Sequence, residues 1–133
     1  MNNQQSNYTF TPHDLRIGNV VNYHSSEDGL LPTTIDGQDI ATLEVHLNYF
    51  NSHHSPIPIT VEMLVEVGYR KHGLVSLTYE SNSDHRLSVV GWPSGELQFC
   101  IYGNVVTKFT YLHELQNLHY DFTREMLTLK SKA

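Results

Sequence analysis

Cysteine is nearly absent from this chain, which contains one, Cys100, in 133 residues. A single cysteine cannot form an internal disulfide, nor can it supply the several thiolates of a structural zinc site. It lies in the apolar run LQFCIY. That setting is typical of a small buried hydrophobic residue, because reactive thiols favour exposed, electropositive surroundings. We assign Cys100 no catalytic role.

Basic residues are also scarce. Eight lysines and arginines stand against 14 acidic residues, which gives a formal net charge of -6. Proteins that bind duplex nucleic acid neutralise several phosphates with lysine and arginine, so we expect no duplex nucleic acid partner. The composition still allows one or two cationic side chains to hold a small anion.

The sequence has no long hydrophobic run. A membrane-spanning helix needs about 18 or more consecutive apolar residues, and a secretory signal begins with a charged and then an apolar segment. The chain begins MNNQQSNYTF and shows neither pattern. We therefore expect a cytoplasmic protein with no membrane partner.

Catalytic motifs are missing as well: the sequence has no GxSxG, HExxH, GxxxxGK[ST] or GxGxxG. Nine histidines invite a metal hypothesis. However, the neighbours His53 and His54 point to opposite sides of an extended segment, and His113 and His119 are not spaced as a zinc-binding helical pair. We predict no catalytic residues, no metal site and no cofactor. A metal-assisted hydrolase assembled from distant residues remains the second alternative.

The length and the hydrophobic pattern indicate one domain with an α+β fold. We predict a flexible tail over residues 1–10 and a small β unit over 11–55. Residues 56–133 are predicted to form a helix, an antiparallel meander and a C-terminal helix, which pack with 11–55 as one compact domain.

The first part of the chain shows short β-type segments separated by turn residues. A strand is predicted from about Gly18 to His24, and Asp28-Gly29 and Asp36-Gly37 are typical turn pairs. They separate β-rich pieces around 31–35 and 39–46. We predict a small bent or SH3-like sheet here.

The second part begins with a helix and continues as a meander. Thr60 is a typical N-cap for a helix that begins at Val61, and Gly68 is a typical stop. Residues 74–110 alternate in the manner of four antiparallel strands, with hairpin signals at residues 93–95 and at Gly103-Asn104.

A second helix is predicted from about 111 to 121. Leu112, Leu115 and Phe122 recur at helical spacing, with either Leu118 or His119 between them, and this stripe is predicted to lie on the meander sheet. Thr123 is predicted to begin a further short turn, in which residues 124 and 125 face water. The final KSKA is predicted to be frayed.

Three motifs mark this chain: LRIGNVV at 15–21, PIPIT at 56–60, and YLHELQNLHYDFTREML at 111–127. They resemble the pattern of a group of small uncharacterised proteins from anaerobic gut bacteria and from their phages and prophages. That pattern begins with LRIGN, has a PIPLT stretch before a short helix that ends in GF or GY, and closes with YVHQLQNLYFALTGEEL. This chain departs from the pattern in its longer polar N-terminus and in DFTREML. The resemblance implies a fold and a phage or prophage setting inside a bacterial host cell, and no activity.

Aromatic residues are plentiful, with eight tyrosines, five phenylalanines and one tryptophan. They provide stacking surfaces, and nearby polar side chains provide hydrogen-bond donors for a base, a ribose or a phosphate. The predicted ligand-binding residues are Arg16, Asn19, Trp92, Tyr111, His113 and Gln116. Structural roles compete for three of them: a hairpin-end or core position for Trp92, a surface salt bridge for Arg16, and a hydrogen bond to a loop backbone for Gln116.

From these features we predict a non-enzymatic phage or prophage accessory protein that binds and sequesters a small anionic ligand, with a nucleotide defence signal as the candidate. The alternative is a protein-interaction module that blocks a host protein. A homo-oligomer is compatible with both, because exposed apolar faces could join two copies.

Overall fold

A computed structural model describes residues 8–73 and 77–129 of the chain. Four helices and two antiparallel sheets confirm the predicted α+β class. The chain divides into two compact units, which meet in the sequence at Ile57 and Pro58. Among the described helices, none is long and apolar enough to cross a membrane. The predicted packing of the two units as one domain stays a prediction.

The first unit contains a three-stranded sheet with the order β2-β1-β3. Its strands are β1 (Val20–Ser25), β2 (Gly29–Thr34) and β3 (His54–Ser55). The β1–β2 turn follows the predicted Asp28-Gly29 signal: Gly29 has a φ of +74°, which side chains disfavour, and Ser25 Oγ accepts hydrogen bonds from the N–H groups of Glu27 and Asp28.

The β-rich piece predicted at 39–46 is wrong, because this segment is helical. Helix α1 spans Gly37–Val45 and helix α2 spans Leu47–His53. Asp36 is the N-cap of α1: its Oδ1 accepts from the N–H of Asp39 at 2.9 Å, and Asp39 Oδ2 accepts from the N–H of Asp36 at 2.9 Å. This capping box turns the Asp36-Gly37 pair into a helix start instead of a hairpin.

The core of the first unit reaches into the predicted tail. Its buried members come from the loops, the strands and both helices: Phe10, Leu15, Val21, Ile35, Leu43 and Phe50. The N–H of Phe10 donates to Asn51 Oδ1 at 2.7 Å, and Asn51 Nδ2 donates to the carbonyl of Phe10 at 3.0 Å. Residues 8–10 are therefore not part of a flexible tail; residues 1–7 of that prediction lie outside the described residues.

The second unit contains the predicted meander, extended by one strand. Its order is β4-β5-β6-β7-β8, with every neighbouring pair antiparallel. The strands are β4 (Tyr69–Lys71), β5 (Thr78–Ser81), β6 (Leu87–Gly91), β7 (Leu97–Ile101) and β8 (Asn104–Phe109). Residues 74–76, at the start of the first predicted strand, lie outside the described residues.

The two predicted helices of this unit are confirmed as α3 (Val61–Glu66) and α4 (Leu112–Thr123). Both contact the same face of the sheet. A Cβ at Gly91 would lie 3.3 Å from Leu97 Cδ2 and 3.4 Å from Val61 Cγ1. The ring of Phe122 stacks on Phe99 with centroids 6.0 Å apart. Leu97 and Phe99 are two residues apart on β7 and so share this face.

Helix α4 ends at Thr123 and is capped by Arg124, whose φ of 62° is left-handed. Residues 124–129 are irregular, so the predicted second turn does not form. Arg124 and Glu125 are exposed, as predicted. The predicted fraying of KSKA at 130–133 lies outside the described residues.

Candidate functional site

Two of the predicted ligand-binding residues, Arg16 and Asn19, lie in the first unit and close a tight loop. Asn19 is 0% exposed, and its Oδ1 accepts from the N–H of Arg16 at 2.8 Å. The N–H of Asn19 donates to the carbonyl of Arg16 at 3.0 Å. A buried amide that shapes its own loop is not presented to a ligand.

The other four belong to the second unit, and two of these are buried in α4. His113 is 1% exposed and Gln116 is 0% exposed. Gln116 Nε2 donates to the carbonyl of Leu127 at 2.8 Å, which is the loop-backbone hydrogen bond anticipated as its structural role. The half-buried Tyr111 stacks on His113 with ring centroids 5.9 Å apart. The structure thus brings Tyr111 and His113 together, and it buries the side chains of His113 and Gln116.

Trp92 lies at the end of the β6–β7 hairpin and is 45% exposed. The N–H of Trp92 donates to the carbonyl of Glu96 at 2.9 Å, so the turn is closed. The indole Nε1–H donates to Gln98 Oε1 at 3.0 Å, and Gln98 Nε2 donates to Glu96 Oε2 at 3.0 Å. This chain of hydrogen bonds fixes the orientation of a half-exposed indole ring.

Two depressions adjoin this hairpin. A groove of about 550 Å³ is lined by Ile59, Leu97 and Phe109 among its apolar residues, and by the charged residues Glu96, Lys108 and Glu114. A shallower depression of about 420 Å³ is lined by Trp92, Pro93, Ser94, Glu96 and Gln98. Glu96 lines both, so they are neighbours at one end of the sheet.

The charges of the groove are not equally satisfied within the protein. Glu114 Oε1 accepts from the N–H groups of Thr110 and Tyr111, each at 2.9 Å, and Glu96 accepts from Gln98. Lys108 is directly opposite Gln98 in the sheet, and its ammonium group has no ion pair within the described ranges. The cation of the groove is therefore the group most available to a ligand.

In the part of the chain that the structure describes, the histidines do not assemble a metal centre. Within residues 8–73 and 77–129, no group of three or more His, Cys, Asp or Glu side chains is placed to hold a metal ion. His54 stacks on Phe50 with centroids 3.9 Å apart, and its burial lowers its pKa. His53 packs against Tyr49 at 4.4 Å. These rings are used in aromatic packing.

One serine–histidine contact could suggest nucleophilic chemistry. His24 Nε2 lies 3.0 Å from Ser55 Oγ, across the β1–β3 pair. A catalytic pair also needs a group that orients the other imidazole nitrogen and donors for an oxyanion. In the described part of the chain, no carboxylate hydrogen-bonds to His24. We read the contact as a link between strands.

The residues that sequence reasoning missed are Glu96, Gln98 and Lys108. A signal for Gln98 was present, because it is the polar residue between the buried Leu97 and Phe99. Lys108 carried no such signal, because every residue of β8 before Phe109 is exposed. Placing them side by side requires the register of β7 and β8, which slips by one residue at a bulge between Phe99 and Cys100. The pattern of residues within one strand does not predict how that strand pairs with its neighbour.

Comparison of the chain with protein-family models, curated proteins and solved structures finds no match.

Proposed function

We propose that this protein is a non-enzymatic binding protein that captures a small anionic ligand with a planar ring, such as a nucleotide, at the hairpin end of its second unit. The ring stacks on Trp92, and the anionic group pairs with Lys108. The single observation that carries the proposal is the half-exposed indole, fixed by Gln98, with a lysine directly across the sheet from Gln98.

The geometry of this pair suits the chemistry of a nucleotide. Directly opposite residues of antiparallel strands have Cβ atoms about 4.5–5.5 Å apart, so Lys108 starts beside the side chain that holds the indole. A lysine stem can reach several ångströms further and place its charge at a phosphate. Stacking of a base on an aromatic side chain is worth about 1–3 kcal/mol, whatever the base. The proposed site therefore combines a ring platform with one cation.

The setting we propose comes from the motif resemblance to phage and prophage proteins. Inside a bacterial host cell, a protein that binds a nucleotide signal without altering it would lower the free concentration of that signal. The net charge of -6 repels anions from the protein as a whole, so an anionic ligand at this site depends on the local cation, Lys108.

Thermal unfolding of the purified protein with a panel of mono-, di- and cyclic nucleotides tests the proposal. A ligand at a hundredfold excess over its Kd stabilises the folded state by about 2.7 kcal/mol, which gives a clear rise in Tm. Trp92→Ala and Lys108→Gln should abolish the rise. Lys71→Gln is the matched control, because Lys71 is also an exposed lysine of this sheet but lies on β4.

Mass spectrometry of the nucleotide after the scan separates binding from chemistry. Recovery of the intact nucleotide supports sequestration, whereas an altered nucleotide would show an enzyme. The absence of a shift with every nucleotide, or a shift that both variants retain, would contradict the proposed site.

A second function, a protein-interaction module, is favoured by the exposed apolar surface of the β7–β8 hairpin. Tyr102, Val105 and Val106 are 71%, 57% and 47% exposed. Strand-to-strand pairing at this edge is disfavoured, because a bulge and a lysine are devices that protect edge strands. A partner would contact the side chains instead. Size-exclusion chromatography with light scattering tests self-association: a dimer that Val105→Asp converts to a monomer would support it, and a wild-type monomer would leave only a different protein as partner.

A further inference from the structure

The polar side chains around Trp92 lie on the face of the sheet opposite the two helices. Leu97 and Phe99 share the face that the helices contact, so Gln98 between them points the other way. Trp92 and Glu96 close the β6–β7 turn, where the N–H of Trp92 donates to the carbonyl of Glu96 at 2.9 Å. Glu96 and Gln98 are two residues apart and share a face. The indole therefore has a carboxylate as its neighbour across the turn.

The hydrogen bonds that join these side chains have one possible direction. An indole N–H only donates, so Gln98 presents its oxygen to Trp92 and its amino group to Glu96. An ionised carboxylate accepts through both oxygens, and Gln98 Nε2 uses only Oε2. Within residues 8–73 and 77–129, Oε1 of Glu96 has no hydrogen-bond donor. Glu96 is thus oriented by Gln98 and keeps acceptor capacity for a ligand.

Glu96 stands at the border of the surface on which a ring would stack. Trp92, Glu96 and Gln98 line the same shallow depression. Lys108 lies directly opposite Gln98, and it lines the neighbouring groove together with Glu96. A nucleotide whose base stacks on the indole therefore has a cation nearby for its phosphate and a carboxylate nearby for the edge of its base.

We infer that this site selects guanine among the bases and that Glu96 is the residue that determines the choice; this inference rests on the proposed function. The Watson–Crick edge of guanine carries two adjacent donors, the N1–H group and the N2 amino group. They match the two oxygens of one carboxylate, as two N–H groups of an arginine do. Hydrogen bonds to a charged acceptor are also stronger than those between neutral groups.

The other bases fit a group that only accepts less well. Adenine places its N6 amino group beside the acceptor N1, and cytosine places its N4 amino group beside the acceptor N3. Uracil has a single donor, N3–H, between two carbonyl oxygens. Each of these bases gives the carboxylate one hydrogen bond and sets a lone pair against its other oxygen. Bidentate recognition of a base discriminates by about tenfold to a hundredfold in affinity.

Isothermal titration calorimetry of the full chain with GMP, IMP and AMP tests the inference. IMP keeps N1–H and lacks the N2 amino group, so it removes one of the two donors. We expect GMP to bind about tenfold to a hundredfold more tightly than AMP, with IMP between them.

The titrations also separate this inference from the proposed function. Equal Kd values for the three nucleotides, with binding that Trp92→Ala and Lys108→Gln still abolish, would overturn the choice of guanine and leave the proposed function standing. Absence of binding by all three nucleotides would overturn both.

Glu96→Gln distinguishes base selection from structural support. Glutamine keeps an oxygen that can accept from Gln98, but it presents an amino group where guanine also has donors, and it is a side chain that suits adenine. The GMP preference should disappear, while the affinity for AMP stays the same or rises because a charge that repels the phosphate is lost.

A supporting role would give a different pattern. If Glu96 served only to hold Gln98 and the indole, Glu96→Gln would weaken all three nucleotides by the same factor and keep their ratio. That result would overturn the inference. Glu62→Gln is the matched control, because Glu62 is an exposed carboxylate on α3, and it should leave every Kd unchanged.

Discussion

Removing the hydroxyl of Tyr69 tests the buried polar pair at the centre of the second unit. Tyr69→Phe keeps a ring that is 0% exposed and its edge contact with His119, at 5.8 Å between centroids, but deletes the hydrogen bond to Nδ1. Nδ1 is then buried without its hydrogen-bond partner. Leaving a buried polar group unsatisfied costs about 1–3 kcal/mol, and the loss of packing is small, so we expect a loss of about 2 kcal/mol.

Urea unfolding monitored by circular dichroism measures this loss as a lower midpoint with an unchanged slope. Tyr102→Phe is the matched control, because Tyr102 is 71% exposed and its hydroxyl should contribute less than about 0.5 kcal/mol. A double-mutant cycle with His119→Gln isolates the pair, for which we expect a coupling of about 0.5–3 kcal/mol. A cost for Tyr69→Phe no larger than that of the control would refute the reasoning.

Three further predictions concern the turns, the caps and the histidines. Tyr102→Asn should stabilise the protein by about 1 kcal/mol in urea unfolding, because the φ of 51° at Tyr102 is unfavourable for most side chains and tolerated by asparagine; a destabilised variant would contradict this. Asp36→Ala removes the capping box of α1 and should cost about 1 kcal/mol in the same assay, and a neutral effect would show that the cap is not needed. Burial lowers the pKa of His54 and His119, so stability should be full above the ordinary histidine pKa of 6.5 and fall as the pH drops below it; an equal urea midpoint on both sides of that pH would contradict the assignment.

The meander was predictable because its hairpin turns contain glycines, which adopt the positive φ values that such turns need. Gly95 and Gly103 have φ values of +97° and +81°. The second hairpin differs by one residue from its predicted position. Its two left-handed residues are Tyr102 and Gly103, since Ile101 and Asn104 already pair with each other. Tyrosine is not typical of the first left-handed position of a hairpin turn, so the residue types alone do not predict a turn at Tyr102-Gly103.

Helix α1 was not predicted because an Asp-Gly pair occurs both in hairpin turns and at the N-terminus of helices. The pair begins a hairpin when strands flank it, and it caps a helix when an acidic residue follows at the third helical position. Asp39 supplies that acidic residue. Reading three residues further along the chain distinguishes the two outcomes.

The buried state of His113 and Gln116 could not be inferred from the spacing of the leucines. Helix α4 is buried over a wider arc than the stripe of Leu112, Leu115 and Phe122. The irregular segment 125–129 returns to a second side of the helix, where the carbonyl of Leu127 accepts from Gln116. Phe122 itself is 44% exposed. The spacing of apolar residues in a helix predicts the one face that packs on the sheet. A second face that is buried by an irregular segment leaves no mark on that spacing.

Only part of the proposed binding site could be predicted from the sequence. Trp92 was identified from its residue type and from the hairpin beside it. Lys108 and Gln98 are ten residues apart in sequence and meet only through the register of β7 and β8. A bulge in that ladder shifts the pairing by one residue, and no pattern within a single strand reveals it.

The indole Nε1–H resonance of Trp92 in a nuclear magnetic resonance titration tests the central claim most directly. The chain has one tryptophan, so one indole signal reports on the proposed site. Binding of a nucleotide against the ring should move this signal in proportion to saturation, and Lys108→Gln should weaken the titration while Lys71→Gln leaves it unchanged. An indole signal that stays fixed while another part of the protein binds the nucleotide would show that the ligand site lies elsewhere.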